Sequence, residues 1–465
     1  MRTTRRLREF DYTRSFVFAS LALSGLVIVN CSGGSEDNPS PPAADASTPD
    51  ASENSPQTQP ADAGSGPSRD ASQRDLFASD AGPAPVTCTE SPCAIALVTT
   101  VTRQGGGPAG FCVLLDDGTV ACWGQNRDGQ LGRGPGNTVN SAVAQRVVGL
   151  TKIRHLDHTC AIDDDGATWC WGAGPFLRSA NAAFTTERSP VKLDIPPATA
   201  MSFFIFGNPA VAVGCALVDT GVLCWGANGF GQVRVPVPGE SATAPTPATL
   251  VATPDGAPFK GISVGYASFA LRSDGTLLSW GRTPPLGRMS SLFPDPYPKP
   301  IPLTGEAGVS YLDVANDNAC AVVQGNVYCW GAVFGDRTVT DLSRALPALI
   351  ETPEPAVSVA TTSSYGNANY PERGCVCGVS GSVYCWGNNA SGQVGDGTYE
   401  YAHKPARVMN LPAPASVVRT MPGATCALLT TGKVYCWGEN STGELGNGFI
   451  GDPSNVPIEV ALPAN

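Results

Sequence analysis

The chain has 465 residues, with 53 Gly, 41 Pro, 16 Cys, 15% charged side chains and a formal net charge of −11. So much Gly and Pro leaves little room for long helices and favours short strands joined by tight turns, which disfavours a helical bundle. The acidity argues against a surface that neutralises phosphates, and three His without a CxxC give zinc almost nothing to bind, so the cysteines point to disulfides in an oxidising compartment.

Residues 1–30 have the shape of an export signal peptide. Met1 to Arg14 carry five Arg against two acidic residues, and a predominantly apolar run of fourteen follows from Phe16 to Val29. That run is shorter than the ~20 residues a spanning helix needs. Cys31 comes directly after it, in Ile28-Val29-Asn30-Cys31. This resembles a bacterial lipoprotein signal, whose cysteine becomes the acylated first residue of the mature protein. Asn30 stands where that signal carries a small residue, and ordinary secretion is the alternative. Ser32 and Gly33, in place of an Asp after Cys31, point by the same resemblance to the outer membrane or cell surface.

Residues 31–86 continue as an Ala/Ser/Pro/Asp-rich tract with nine acidic and two basic side chains. Its apolar side chains are too sparse to offset the entropy of ordering it, so a disordered tether is expected, with ends about 40 Å apart as a coil. Removing signal and tether leaves a net −7 on residues 87–465.

From Cys88 onward one phrase recurs seven times, as in CVLLDDGTVACWG ending at Gly124 and CALLTTGKVYCWG ending at Gly438. Its tryptophans are Trp123, Trp171, Trp225, Trp280, Trp330, Trp386 and Trp437, a mean period near 52. A repeat of that length, with alternating apolar residues and turn signals, fits a four-stranded propeller blade better than a helical or leucine-rich solenoid. The expected fold is therefore all-β: a seven-bladed β-propeller over residues 87–465, preceded by the signal peptide and tether.

Each phrase predicts a β-hairpin. Where its ends lie ten residues apart, pairing them leaves a three-residue loop whose third member is Gly118, Gly166, Gly275, Gly381 or Gly432, the left-handed position of a type I turn with a G1 bulge. The Cys320 phrase is one residue shorter and uses Gln324-Gly325. The Cys215 phrase would place Asp219-Thr220 in its loop, a poorer fit. The same pairing sets two cysteines opposite each other, at a spacing disulfides tolerate. The fourth phrase lacks both together, with Phe269 and Ser279 in their places. Six bridges follow: Cys112–Cys122, Cys160–Cys170, Cys215–Cys224, Cys320–Cys329, Cys375–Cys385 and Cys426–Cys436. Cys88 and Cys93 are near enough for a seventh, and Cys377 is left as a free thiol.

After four of the phrases the chain runs QNRDGQLGRG, ANGFGQV, NNASGQVGDG and ENSTGELGNG; after Gly172, Gly281 and Gly331 this decays to AGPFL, RTPPLG and AVFGD. Together with the CAL…DG…YCWG phrase, these segments resemble the regulator of chromosome condensation repeat over Ile95 to the C-terminus. The resemblance implies a seven-bladed propeller closed by pairing a strand near Ile95–Thr102 with one near Val456–Leu462. It also implies nucleotide exchange on a small GTPase and chromatin binding, which the export signal and the −7 charge oppose. Other propellers of this class are secreted binders.

Chemistry is sparse. His158, in HTCA, has a structural reading; His155 and His403 lack a nucleophile phrase. Asp163-Asp164-Asp165-Gly166 lacks the spacing of a calcium loop, and Gly105-Gly106-Gly107 opens no helix to cradle a phosphate. No catalytic, cofactor or metal site is expected. Two insertions, Thr283–Pro300 and Thr361–Glu372, carry Phe293, Tyr297, Tyr365 and Tyr370 as candidate partner anchors. The expectation is an exported, lipid-anchored monomer that binds a protein or glycan at the envelope and no nucleic acid. An exchange factor, or an enzyme acting on glycans at the propeller face, is the alternative.

Overall fold

A computed structural model describes residues 82–100, 110–176, 184–206, 211–239, 245–283, 285–303, 308–315, 317–331, 346–362 and 373–464. The signal peptide, Cys31, most of the tether, Tyr365 and Tyr370 lie outside these residues.

The described strands form seven four-stranded antiparallel sheets, each built from consecutive strands. Blade 1 holds β1 (Ala94–Thr99), β2 (Gly110–Leu115), β3 (Val120–Gly124) and β4 (Ser141–Arg146). Blade 2 holds β5 (Ile153–Asp157), β6 (Cys160–Asp163), β7 (Thr168–Gly174) and β8 (Thr185–Lys192). Blade 3 holds β9 (Ala198–Phe206), β10 (Val211–Val218), β11 (Gly221–Ala227) and β12 (Pro245–Leu250). Blade 4 holds β13 (Phe259–Val264), β14 (Ala267–Arg272), β15 (Leu277–Gly281) and β16 (Asp295–Pro300). Blade 5 holds β17 (Val309–Val314), β18 (Asn318–Val323), β19 (Asn326–Gly331) and β20 (Ala348–Ile350). Blade 6 holds β21 (Ala356–Thr361), β22 (Gly374–Gly378), β23 (Val383–Gly387) and β24 (Ala402–Arg407). Blade 7 holds β25 (Ala415–Thr420), β26 (Ala424–Leu429), β27 (Val434–Asn440) and β28 (Gly451–Glu459).

The recurring phrase is the second and third strand of each blade. Cys112 pairs Cys122 in register, as do the two cysteines of the five equivalent hairpins. All six pairs are bonded with Cα atoms 4.1 Å apart, and Cys88–Cys93 makes a seventh bridge. Seven disulfides suit an oxidising, extracellular environment. Cys377 is free and buried, its Sγ 3.1 Å from the carbonyl oxygen of Ala415, and burial pushes its thiol up to about 12.

The glycines of the three-residue loops have φ between 74° and 82°. In the misfit hairpin neither Asp219 nor Thr220 takes a positive φ; Gly221, directly after them, carries it at 125°. The glycine of each Trp-Gly pair answers a second demand. At Gly226, φ is 102° and a Cβ would stand 2.3 Å from the Ala212 carbonyl oxygen, at a register shift between Cys224 and Gly226. Only a residue without a Cβ bends the third strand there.

The core lies between blades. Seven buried apolar clusters occupy the seven blade-to-blade interfaces, and each contains one repeat tryptophan. Six of these indoles also donate Nε1–H to a backbone carbonyl of the preceding blade: Trp123 to Glu444, Trp171 to Gln130, Trp225 to Pro175, Trp280 to Gln232, Trp330 to Pro285 and Trp437 to Gln393, at 2.7–2.9 Å.

Closure differs from the expectation. β1 pairs with β2 and β28 with β27, so no blade is shared between the two ends of the chain. Seven full blades already fit between Ala94 and Glu459, leaving no strand to exchange. The ring closes through the blade 1–blade 7 cluster around Trp123, through Ala94 N–H to the Gly432 carbonyl (2.9 Å) and through Gly448 N–H to the Ala142 carbonyl (2.8 Å). Ahead of blade 1, Val86 packs against this cluster, and the Ser416 hydroxyl donates to the Ala84 carbonyl at 2.6 Å.

Candidate functional site: one end of the propeller channel

The first strand of every blade lines a central cavity of about 460 Å³. The residues facing its mouth are strand ends, such as Thr99, Asp157, Val314, Thr361 and Thr420. Strands alternate in direction within a blade, so the connections from first to second strand and from third to fourth emerge at this same end. The disulfide hairpin turns emerge at the other.

At the mouth, Asp157 and His158 close blade 2. The His158 backbone is left-handed, with φ 49°, and its ring Nδ1 lies 3.0 Å from the Thr99 carbonyl oxygen. The same nitrogen lies 3.2 Å from the Thr99 hydroxyl, so the ring is held against blade 1. Its Nε2 lies 4.0 Å from Asp157 Oδ1. Across the channel, Arg419 donates to the Tyr311 hydroxyl at 2.6 Å and stands 4.0 Å from Asp313 Oδ1, while Asp313 Oδ2 accepts the Thr361 N–H at 2.8 Å. Burial raises the Asp313 carboxyl pKa above its ordinary value, against the pull of Arg419 and the Thr361 N–H. Burial works against the charge on Arg419, but Tyr311 and Asp313 hold its proton more tightly than usual. Blades 3 and 4 line the cavity with Phe204, Ile205 and Val264 together with Lys260 and Ser263.

Around the mouth, the third-to-fourth-strand connections expose apolar side chains in five blades: Val139; Val235 and Val237; Met289, Leu292 and Phe293; Tyr399 and Tyr401; Phe449 and Ile450. Phe293 is the most exposed, at 74%. Its loop is braced beneath by a buried ion pair, Arg288 Nη1 to Asp295 Oδ2 at 2.8 Å. Arg288 also donates to the Ser279 and Tyr297 carbonyls, and Asp295 accepts from the Ser290 hydroxyl and Tyr297 N–H. Tyr297, half exposed, lies on β16 with Lys299 over its ring.

The other sequence candidates separate. His155 lies within β5, its pKa lowered by burial, and His403 stacks edge-on against Tyr401 on the outer strand of blade 6. Asp163 spends its carboxylate on its own hairpin, accepting from the Asp165 and Ala167 N–H groups and from Trp169 Nε1. His158, read as structural, holds Thr99 of blade 1 and lies at the mouth. Asp157, Tyr311, Asp313 and Arg419 were not singled out from sequence; each lies on a first strand, ahead of the phrase that marks the repeat.

A sequence profile described as the regulator of chromosome condensation (RCC1) repeat matches residues 380–421, and a second of the same description matches 107–130 and 423–444. The ultraviolet-B receptor UVR8 of Arabidopsis thaliana is 27% identical over 374 residues, covering 76% of this chain and 80% of that protein. The human E3 ubiquitin-protein ligase HERC2 is 25% identical over 240 residues, 40% of this chain; the chain spans only 5% of that protein's length. Among solved structures, Prp20p from Saccharomyces cerevisiae, characterised for its binding to Gsp1p and histones, superposes with a TM-score of 0.55 at 19% identity, over 78% of this chain and 87% of that one. At that identity the likeness speaks to the fold alone. These relatives are eukaryotic. With its blades and tryptophan staples, the chain is a seven-bladed β-propeller in which residues 107–130, 380–421 and 423–444 match the regulator of chromosome condensation repeat.

Proposed function

We propose that this protein is an exported scaffold, anchored by acylated Cys31 at the outer membrane or cell surface, which engages a protein through the propeller end that carries the channel mouth. The observation that carries this reading is the gathering of exposed apolar side chains from five blades on that one end. Isolated exposed apolar residues are ordinary, but a grouped set around a rigid rim is a mark of an interaction surface. The Arg288–Asp295 pair under Phe293 supports it further, because a braced anchor loses little entropy on binding. The seven disulfides favour action outside the cytosol over nucleotide exchange on a cytosolic GTPase.

A second reading, an enzyme acting on glycans, draws on Asp157 and Asp313 in the same mouth, the latter with a raised pKa. One experiment separates the two. The purified protein and its Phe293→Ser/Phe449→Ser variant are used to capture partners from intact envelopes, and captured material is identified by mass spectrometry. The expected result is a protein retained by the parent and lost by the variant. Identical captures would sink the surface reading, and recovery of shortened glycan in place of protein would establish the second.

A further inference from the structure

Cys88–Cys93 is unlike the other six bridges. Each hairpin bridge joins residues paired in register between two strands, with both cysteines buried. When such a bond is cut, the flanking ladder still holds the two thiols opposite each other, where the bond reforms readily. Cys88 lies ahead of β1 and is the one exposed cysteine among the described residues, while Cys93 is buried. Cys93 is fixed independently: its N–H points to Asp116 Oδ1 at 3.4 Å, its carbonyl accepts the Asp116 N–H at 2.9 Å, and Ala94 beside it donates to the Gly432 carbonyl. The Cys88 side is not. Residues 84–88 form a strap over blade 7, held by the Thr87 N–H to the Thr430 carbonyl (2.8 Å), by the Ser416 hydroxyl to the Ala84 carbonyl (2.6 Å) and by Val86 against the seam cluster. Two hydrogen bonds exchanged with water and one half-buried side chain are a weak hold on the strap, so the covalent bond decides whether it stays.

We propose that Cys88–Cys93 is a thiol-operated latch on the seam between blades 7 and 1. A dithiol reductant attacks as its thiolate at Cys88 Sγ, the exposed side; a mixed disulfide forms, and Cys93 leaves as a thiolate that takes up the proton the dithiol gave up. The second thiol of the reductant then displaces Cys88, so the dithiol ends as a disulfide and the protein holds two thiols. With the bond open, the strap leaves blade 7 and uncovers the part of the seam cluster on which Val86 lies. The six hairpin bridges and the blades stay intact.

The full chain is titrated with dithiothreitol at mildly alkaline pH, the thiols formed are alkylated with N-ethylmaleimide and assigned by peptide mass spectrometry, and amide hydrogen exchange is followed in parallel. Cys88 and Cys93 should be alkylated at least tenfold faster than any hairpin cysteine. The Thr87 amide should then exchange at least tenfold faster, while the amides of β2 and β3 keep their protection. Cys88→Ser/Cys93→Ser should show the same rapid exchange at Thr87 with no reductant present. Reduction of a hairpin bridge at the same dose of dithiothreitol overturns the latch. So does unchanged exchange at Thr87 in the reduced protein, whatever the variant does.

Discussion

Single side chains at the rim do jobs that their residue types do not announce. Asp295 is fully buried, and burial alone would raise its pKa; Arg288, the Ser290 hydroxyl and the Tyr297 N–H outweigh that and hold it below the ordinary 3.8. A carboxylate depressed in the folded state contributes stability above the unfolded value and loses it as pH falls through the folded one. Asp295→Asn should therefore cost about 3–5 kcal/mol at pH 7, since it leaves Arg288 buried and unpaired. The gap between parent and variant should start to narrow only below about pH 3.8 and close as pH falls past the depressed folded value. Urea unfolding at pH 7, 5 and 3 measures this, and a gap that widens on acidification would falsify it. Arg373 is another such residue. It is buried and bonds to no carboxylate among the described residues, but reaches the carbonyls of Gln393, Met421 and Ala424 and so ties blade 6 to blade 7. Neither role was legible in sequence, because each partner is brought in by a loop or by the next blade.

At the scale of the element, the hairpin without a disulfide shows which term wins. Phe269 and Ser279 pair in register as the cysteines do elsewhere, so geometry allows a bridge there. Phe269 is instead fully buried and stacks edge-on against Trp330, with ring centroids 6.1 Å apart, while the Ser279 hydroxyl accepts from Arg288 Nε at 3.2 Å. A hairpin bridge contributes at most about 2.5 kcal/mol. Truncating a buried Phe costs about 3–5 kcal/mol, somewhat less when Cys fills part of the space. The Phe269→Cys/Ser279→Cys variant should form the bond, checked by mass spectrometry, and still be about 1–2 kcal/mol less stable by urea unfolding. A stability gain would refute the packing account. The decayed loops follow similar logic. Pro175 and Pro285 stand where other blades carry Gln130, Gln232 or Gln393, yet each still offers its carbonyl to the next tryptophan. A backbone acceptor needs no particular side chain, so the motif fades from the sequence while the contact persists.

For the whole molecule, the seam between blades 7 and 1 is made like five of the other six interfaces: one apolar cluster, one tryptophan and one indole bond across it. The seam joins residues more than 320 apart, and its one addition is the segment ahead of blade 1, which bonds to blade 7 through Ala84 and Thr87. Trp123→Phe at the seam and Trp225→Phe inside the ring each leave a buried carbonyl without its indole donor, at a cost of about 1–3 kcal/mol. The two variants should be destabilised alike, within about 1 kcal/mol by denaturant melts. A seam variant that unfolds in two steps would show that closure is weaker than the blade interfaces.

The amino-acid sequence by itself determined the seven-blade count, the hairpin registers and the cysteine pairs, because these rest on contacts between residues nine or ten apart and on glycines that a turn or bulge demands. Phe293 was legible too, as an aromatic in an insertion, though its bracing was not. Tertiary structure alone decided how the ring closes and which residues meet at the channel mouth. Asp157, His158, Asp313 and Arg419 come from three blades and stand on first strands, or for His158 directly after one, outside the repeating phrase. Only closure of the ring places them around one cavity, so no spacing along the chain could have shown their meeting.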